Sequence, residues 1–188
     1  ESFEAALALA PDRASVLVNL GATHFRLRQW HEALPLLQRA AAADAALADV
    51  WTYLGLTHEA LGQWQAALAP LARALKLAPG HAGLWLAYGR CHARIGSVGP
   101  ALQAFDRVVA LAPGAAEAWS ARGGLLRELN RLQEAAECFE KALSLGADPD
   151  LHGYYLAAVR GAHPLAAAAG PGAAAGEGAG LSVGVAGH

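Results

Sequence analysis

Three histidines, His24, His58 and His92, recur at one constant interval along the chain. Histidine is the commonest metal ligand and the side chain that most readily changes charge near neutral pH. A metal site needs several ligands within a few ångströms of one point. Residues that repeat once per unit of a helical stack stand about 10 Å apart, the usual distance between packed helices. The three histidines therefore do not converge on one ion, and no metal is expected. Cys91 and Cys138 have no CxxC or zinc spacing around them and read as buried helical thiols. Gly170-Pro171-Gly172 has no strand before it, so it is no phosphate loop. No GxSxG or HExxH signature is present, and nothing places Ser, His and Asp together for catalysis. The chain reads as a non-enzyme without cofactors.

The elements that carry these residues are set by the same interval. It separates Trp51, Trp85 and Trp119, and Gly21, Gly55, Gly89 and Gly123 keep the step. So do Ala33, Ala67, Ala101 and Ala135, and the larger Phe3, Leu37, Leu71, Phe105 and Phe139. Pro11, Pro79 and Pro113 share one phase, which Ala45 and Ala147 fill elsewhere. Trp51 with Leu54, and Trp85 with Tyr88, fall on one face of a first helix. The Gly that follows removes a side chain where a second helix crosses closely, and the recurrent Ala is a minimal bump on that helix. The Leu or Phe four residues on plugs the space beneath the next hairpin, and proline closes the unit. Gly62, Gly96 and Asn130 supply the left-handed residue between the two helices. Arg28 holds that position in the first unit, where a strained or differently shaped turn is expected.

Length, composition and charge agree with a repeat array. The chain has 188 residues, 55% of them hydrophobic and many of those alanine, the best helix former. A net charge of -2 gives no general attraction to nucleic acid or to a membrane surface. No apolar run is long enough to span a bilayer and no signal-type start is seen, which favours a cytoplasmic setting.

The pattern resembles the tetratricopeptide-repeat (TPR) family, whose unit is about 34 residues long. The step from Trp51 to Trp85 has that length, and the resemblance covers about residues 2–160. It implies an all-α, right-handed solenoid of stacked helix–turn–helix hairpins. In that frame residues 1–160 are the array. Residues 2–13 are the second helix of a partial unit, 14–47, 48–81, 82–115 and 116–149 are full units, and 150–160 is a capping or partial-unit helix. Asp148 and Pro149 open that last helix as N-cap and first residue. Residues 161–188 are an Ala/Gly-rich tail or linker, expected to be disordered. A start in mid-hairpin and a linker-like end suit a region of a longer protein.

The resemblance also implies a function, that of holding a peptide or protein segment along the concave face lined by the first helices. Transferred position by position, the lining is Val18, Ala22, Phe25 and Arg26, then Asp49, Thr52, Leu56 and Glu59. Leu86, Arg90 and Arg94 follow, then Glu117, Ser120, Gly124, Arg127 and Glu128. Arg90, Arg94 and Arg127 offer planar forks to a carboxylate or phosphate, or else form a charge-balanced face with the glutamates. The chaperone-binding clamp of some relatives is absent, since Val18 and Ala22 stand at its Lys and Asn positions. Of an asparagine ladder only Asn19 is present. The family usually has a Tyr, packed between the helices, where the three histidines stand, so they are expected to pack there, with a pH-sensitive core role as the alternative. The alternative function is the substrate-recruiting region of a larger methyltransferase, glycosyltransferase or sulfotransferase, and self-association through the uncapped N-terminal helix is a third. Trp85 and Trp119 are expected to be largely buried, so that alanine at either costs about 3–5 kcal/mol. Arg90→Glu with Arg94→Glu is expected to weaken a partner without unfolding the array.

Overall fold

The computed structural model describes residues 13–159 and Gly161. Nine helices and no strand occur among them. Helices α1 (Ala14–Arg26) and α2 (Trp30–Ala43) form the first hairpin, and α3 (Ala48–Ala60) and α4 (Trp64–Leu77) the second. The third is α5 (Ala82–Arg94) with α6 (Val98–Leu111), the fourth α7 (Ala116–Glu128) with α8 (Leu132–Ser144), and α9 (Pro149–Val159) follows. Each helix packs on the one before and the one after. The first helices α1, α3, α5 and α7 also touch one another in succession, whereas the second helices make no comparable contact. A stack crowded along one row of helices and splayed along the other curves, with the crowded row inside. The result is an α-solenoid whose inner face is built from first helices. Except for Arg13 and Gly161, the partial unit over 2–13 and the tail over 161–188 lie outside the described residues, and so does the N-terminal self-association.

The four turns within hairpins are alike in conformation and hydrogen bonding. Arg28, Gly62, Gly96 and Asn130 have φ of 60°, 71°, 78° and 58°. In each, the left-handed residue donates its N–H to the carbonyl three residues back, as from Arg28 to Phe25 at 3.0 Å and from Gly62 to Glu59 at 2.9 Å. The next N–H reaches five residues back, as from Gln29 to His24 and from Gln63 to His58, both at 2.9 Å. This is the Schellman arrangement that closes a helix C-terminus. Arg28 therefore bends like its glycine counterparts, and the first turn is not differently shaped. The strain falls on the residue, because a side chain in left-handed backbone costs about 1–2 kcal/mol. At the far end, Asp148 accepts the backbone N–H of Asp150 at 2.9 Å, just where α9 begins.

Close approach of the two helices in a hairpin depends on the recurrent glycine. A Cβ at Gly21 would lie 2.7 Å from Cγ of Leu37, and one at Gly55 2.7 Å from Cγ of Leu71. At Gly89 it would lie 2.7 Å from Cε1 of Phe105, and at Gly123 2.9 Å from Cε1 of Phe139. The large residue thus sits first over the glycine of its own hairpin. It also reaches the next, since Leu71 shares a buried cluster with Leu84 and Ala87. Ala33, Ala67, Ala101 and Ala135, four residues before it, are fully buried.

The tryptophans pack against the edges of this core and carry a second role. Trp51, Trp85 and Trp119 are partly buried. Their indole N–H groups donate to the carbonyls of Ala45, Pro79 and Pro113 at 2.8, 2.8 and 2.9 Å. Each ring pins the loop that enters its own hairpin, and Arg73 stacks over Trp51 at 4.1 Å. Leu17, in the same register, is fully buried and has no such bond to make. Trp85 and Trp119 are thus mostly, though not wholly, enclosed, and alanine there costs less than the removal of a fully enclosed ring.

Gly123 and Gly124 are adjacent in α7 and make opposite demands, because no atom lies within 4 Å of a Cβ built on Gly124. Gly123→Ala should destabilise the array by about 1–3 kcal/mol through overpacking. Gly124→Ala should stabilise it by about 0.5–1 kcal/mol through helix propensity. Urea unfolding of the two variants beside the parent checks the sign of each change.

Candidate functional site

On the inner face, where the first helices end and the second begin, lies a hollow of ≈ 640 Å³. Phe25, Arg26, Arg28 and Trp30 line it from the first hairpin, Leu56, Glu59, Ala60 and Trp64 from the second, and Arg90 and Arg94 from the third. Helical spacing explains part of the set, since Leu56, Glu59 and Ala60 share one face of α3. The left-handed turns explain the rest. By reversing the chain within three residues they set Trp30 and Trp64, the first residues of α2 and α4, beside the last residues of α1 and α3.

The arginines of the site are held in unequal ways. Arg90 is bound between two carboxylates, with Nε and Nη2 each 2.7 Å from Oε1 of Glu59 and Nη1 2.6 Å from Oε1 of Glu117. The Glu59 side chain is only 11% exposed, and Arg90 is the partner that pairs it there. Burial opposes the charge on Arg90, yet the bonds to Glu59 and Glu117 prevail and raise its pKa above the ordinary value. A continuous ion chain therefore joins the second, third and fourth hairpins. Arg94 lies 5.6 Å from the Trp64 ring, and Arg26 donates to the Tyr53 hydroxyl at 3.2 Å. Arg127 stacks over Tyr155 at 4.6 Å, in the fourth hairpin and away from the hollow.

Of the residues named from sequence, Phe25, Arg26, Leu56, Glu59, Arg90 and Arg94 come together in this hollow. Val18 and Asp49 meet in a smaller one of ≈ 160 Å³. Val18 and Ala22 are buried, Thr52 is half-buried, and Leu86 packs against the cluster of Ala101 and Phe105. Glu117 belongs to the ion chain, while Ser120 bonds its own helix at the Ala116 carbonyl, 2.9 Å away. Gly124 is half-buried and Glu128 exposed. Arg90, Arg94 and Arg127 do not converge on one ligand. Because Glu in place of Arg90 would meet Glu59 and Glu117, the double Arg90→Glu, Arg94→Glu change cannot separate binding from folding. The sequence reading missed Arg28, Trp30, Ala60 and Trp64. A signal existed for two of them: Trp30 and Trp64 are themselves one repeat apart, each just after a turn.

Two of the three repeated histidines brace their turns. Nδ1 of His24 is 2.8 Å from Oε1 of Gln29, and Nδ1 of His58 is 2.6 Å from Oε1 of Gln63, each pair spanning its turn. In the third hairpin Ser97 replaces the glutamine. His92 instead meets Tyr88 edge-on at 4.5 Å, and both its ring nitrogens are buried without a partner. Burial lowers its pKa. Burial, followed by the Glu59 charge, pushes the Cys91 thiol up to about 12 against the opposing Arg90, which leaves it a poor nucleophile. Among the described residues no His, Cys, Asp and Glu side chains gather as a metal site, and no helix is long and apolar enough to cross a membrane.

Three family models, each described as tetratricopeptide repeat, match residues 12–80, 59–125 and 100–152. A crystal structure of MamA superposes with a TM-score of 0.72 at 24% identity, over 76% of this chain and 84% of that one. YrrB, described as a TPR protein with an unusual peptide-binding site, superposes with a TM-score of 0.74 at 26% identity, over 81% of this chain and 78% of its own. No curated protein sequence matches.

Two outcomes test the geometry. Arg90→Gln leaves the nearly buried Glu59 poorly matched and should cost about 1–2 kcal/mol, whereas Arg94→Gln should stay within about 0.5 kcal/mol of the parent in the same urea titration. His92 titrates near its ordinary value of about 6.5 in the unfolded chain and lower in the native one. Its contribution to stability is therefore complete above about pH 6.5 and declines as the pH falls below that, where the unfolded state binds the proton first. His92→Tyr should flatten that part of the stability–pH curve, measured as urea midpoints between about pH 7.5 and about pH 5.

Proposed function

Because the chain belongs to the tetratricopeptide-repeat family, we propose that it is a protein-interaction scaffold that holds a peptide or protein segment along its inner face. The observation that carries this reading is the hollow at the ends of the first three inner helices, which combines aromatic walls with arginines. Aromatic and arginine side chains are the types that dominate binding energy at interfaces. The peptide-binding site described for YrrB, a protein of the same architecture, supports it. The reading assigns the chain no chemical step. Contact is spread over several hairpins, so affinity comes from area and a few anchors rather than from one pocket.

Within the inner face, Phe25, Arg26, Leu56 and Arg94 are the contact residues of this reading, and Thr52 continues their stripe along α3. Val18 and Ala22 support the helices from below. Glu59, Arg90 and Glu117 hold neighbouring hairpins at the angle that shapes the groove.

A photo-crosslinking side chain placed at Thr52 should capture a partner protein from the native source. The same group at Ala69, exposed on the second helix α4, should not. Equal capture from both positions, read by mass spectrometry, would move the interaction off the inner face.

A further inference from the structure

Arg28 differs from the other intra-hairpin turn residues in two ways, a long charged side chain in left-handed backbone and a place in the hollow. It holds left-handed backbone with φ of 60°, where the other hairpins have Gly62, Gly96 and Asn130. It also lines the hollow, exposed, with no hydrogen-bond or ionic partner among the described residues. Glycine or asparagine would make the same turn with less strain. Strained residues persist where the surroundings or a function require them, and nothing in the packing here requires an arginine.

The charges around it point the same way. The hollow is lined by four arginines and one glutamate, and Glu59 is already matched by Arg90. Arg26, Arg28 and Arg94 meet no carboxylate among the described residues, although the chain as a whole carries a net charge of -2. Positive potential is therefore local to this spot. Phe25, Trp30 and Trp64 supply flat apolar walls beside it.

We propose that the hollow between Trp30 and Trp64 takes an acidic segment of a partner protein, and that Arg28 is kept in its left-handed turn to meet a carboxylate of that segment. The proposal rests on the scaffold reading above and gives the partner a chemistry. A guanidinium offers a planar fork that matches a carboxylate with two parallel hydrogen bonds. A bulky apolar residue next to the acidic ones would lie against the indole rings, where desolvation strengthens both contacts. A nucleic acid fits less well. A run of phosphates needs a continuous basic track, and the inner face beyond the hollow carries Asp49, Glu117 and Glu128.

Selection of random dodecapeptides displayed on phage, performed against the full chain, tests this directly. The expected peptides carry Asp or Glu beside Trp, Phe or Leu, and bind in fluorescence polarisation with an affinity that weakens as salt is raised. Arg28→Gly should lower that affinity about tenfold while raising the urea midpoint of unfolding, because the strain is removed along with the charge. Arg94→Gln should weaken the same peptides. Enrichment of uncharged or basic peptides, or an affinity unchanged by Arg28→Gly, would overturn the acidic assignment and leave the scaffold reading standing. An oligouridylate that binds as tightly as the best acidic peptide would also overturn it. A selection that enriches no peptide counts against the scaffold reading and removes this proposal with it.

Discussion

Each hairpin is held together at the point where a glycine of the first helix faces a leucine or phenylalanine of the second. The gap left by the missing Cβ is the space that Leu37, Leu71, Phe105 and Phe139 fill. Leu37, Leu71 and Phe105 also share clusters with residues of the next hairpin, and Phe139 stacks on Tyr155 of α9. With an alanine in place of the glycine, the helices would separate or the ring would leave its position, and the cluster behind it would lose density. Everything on the inner face depends on that spacing. The ends of α1 and α3 reach the starts of α2 and α4 only because the helices in a hairpin lie close enough for a three-residue turn to join them.

Successive hairpins share those apolar clusters, and polar contacts add to them. Half-buried tryptophans fix the incoming loops through single indole hydrogen bonds, and Arg90 ties Glu59 to Glu117 across three first helices. The ion chain is more than a surface pair, because one of its carboxylates is nearly buried. It fixes how the first helices sit beside one another on the concave side. Among the described residues it also leaves Arg26, Arg28 and Arg94 as the arginines of the hollow that no carboxylate neutralises, so the same interaction that shapes the groove bears on the charge it presents.

Much of the fold was legible before any coordinates, and for a physical reason. A repeat of constant length forces each residue type into an equivalent environment several times, so coincidence is averaged out and the packing role of Gly55 or Ala67 can be read from its copies. The candidate site was only partly legible. Leu56, Glu59 and Arg94 followed from the family resemblance, which puts the lining on first helices, but Trp30 and Trp64 sit on second helices, which such a transfer passes over. Arg28 was visible as an irregularity in the turn and not as a lining residue. The burial of Val18 and Ala22, and the capture of Arg90 by two glutamates, depend on neighbours that no single repeat reveals.

The sequence by itself determined the hairpin, its period, its left-handed turns and the row of glycines that let helices meet, because these are local or periodic properties of the chain. Only the tertiary structure decided which side chains share the hollow and which arginines remain unmatched there. That outcome depends on how far each hairpin rotates on the last, and a rotation is set by the sum of contacts between units rather than by the residues of any one.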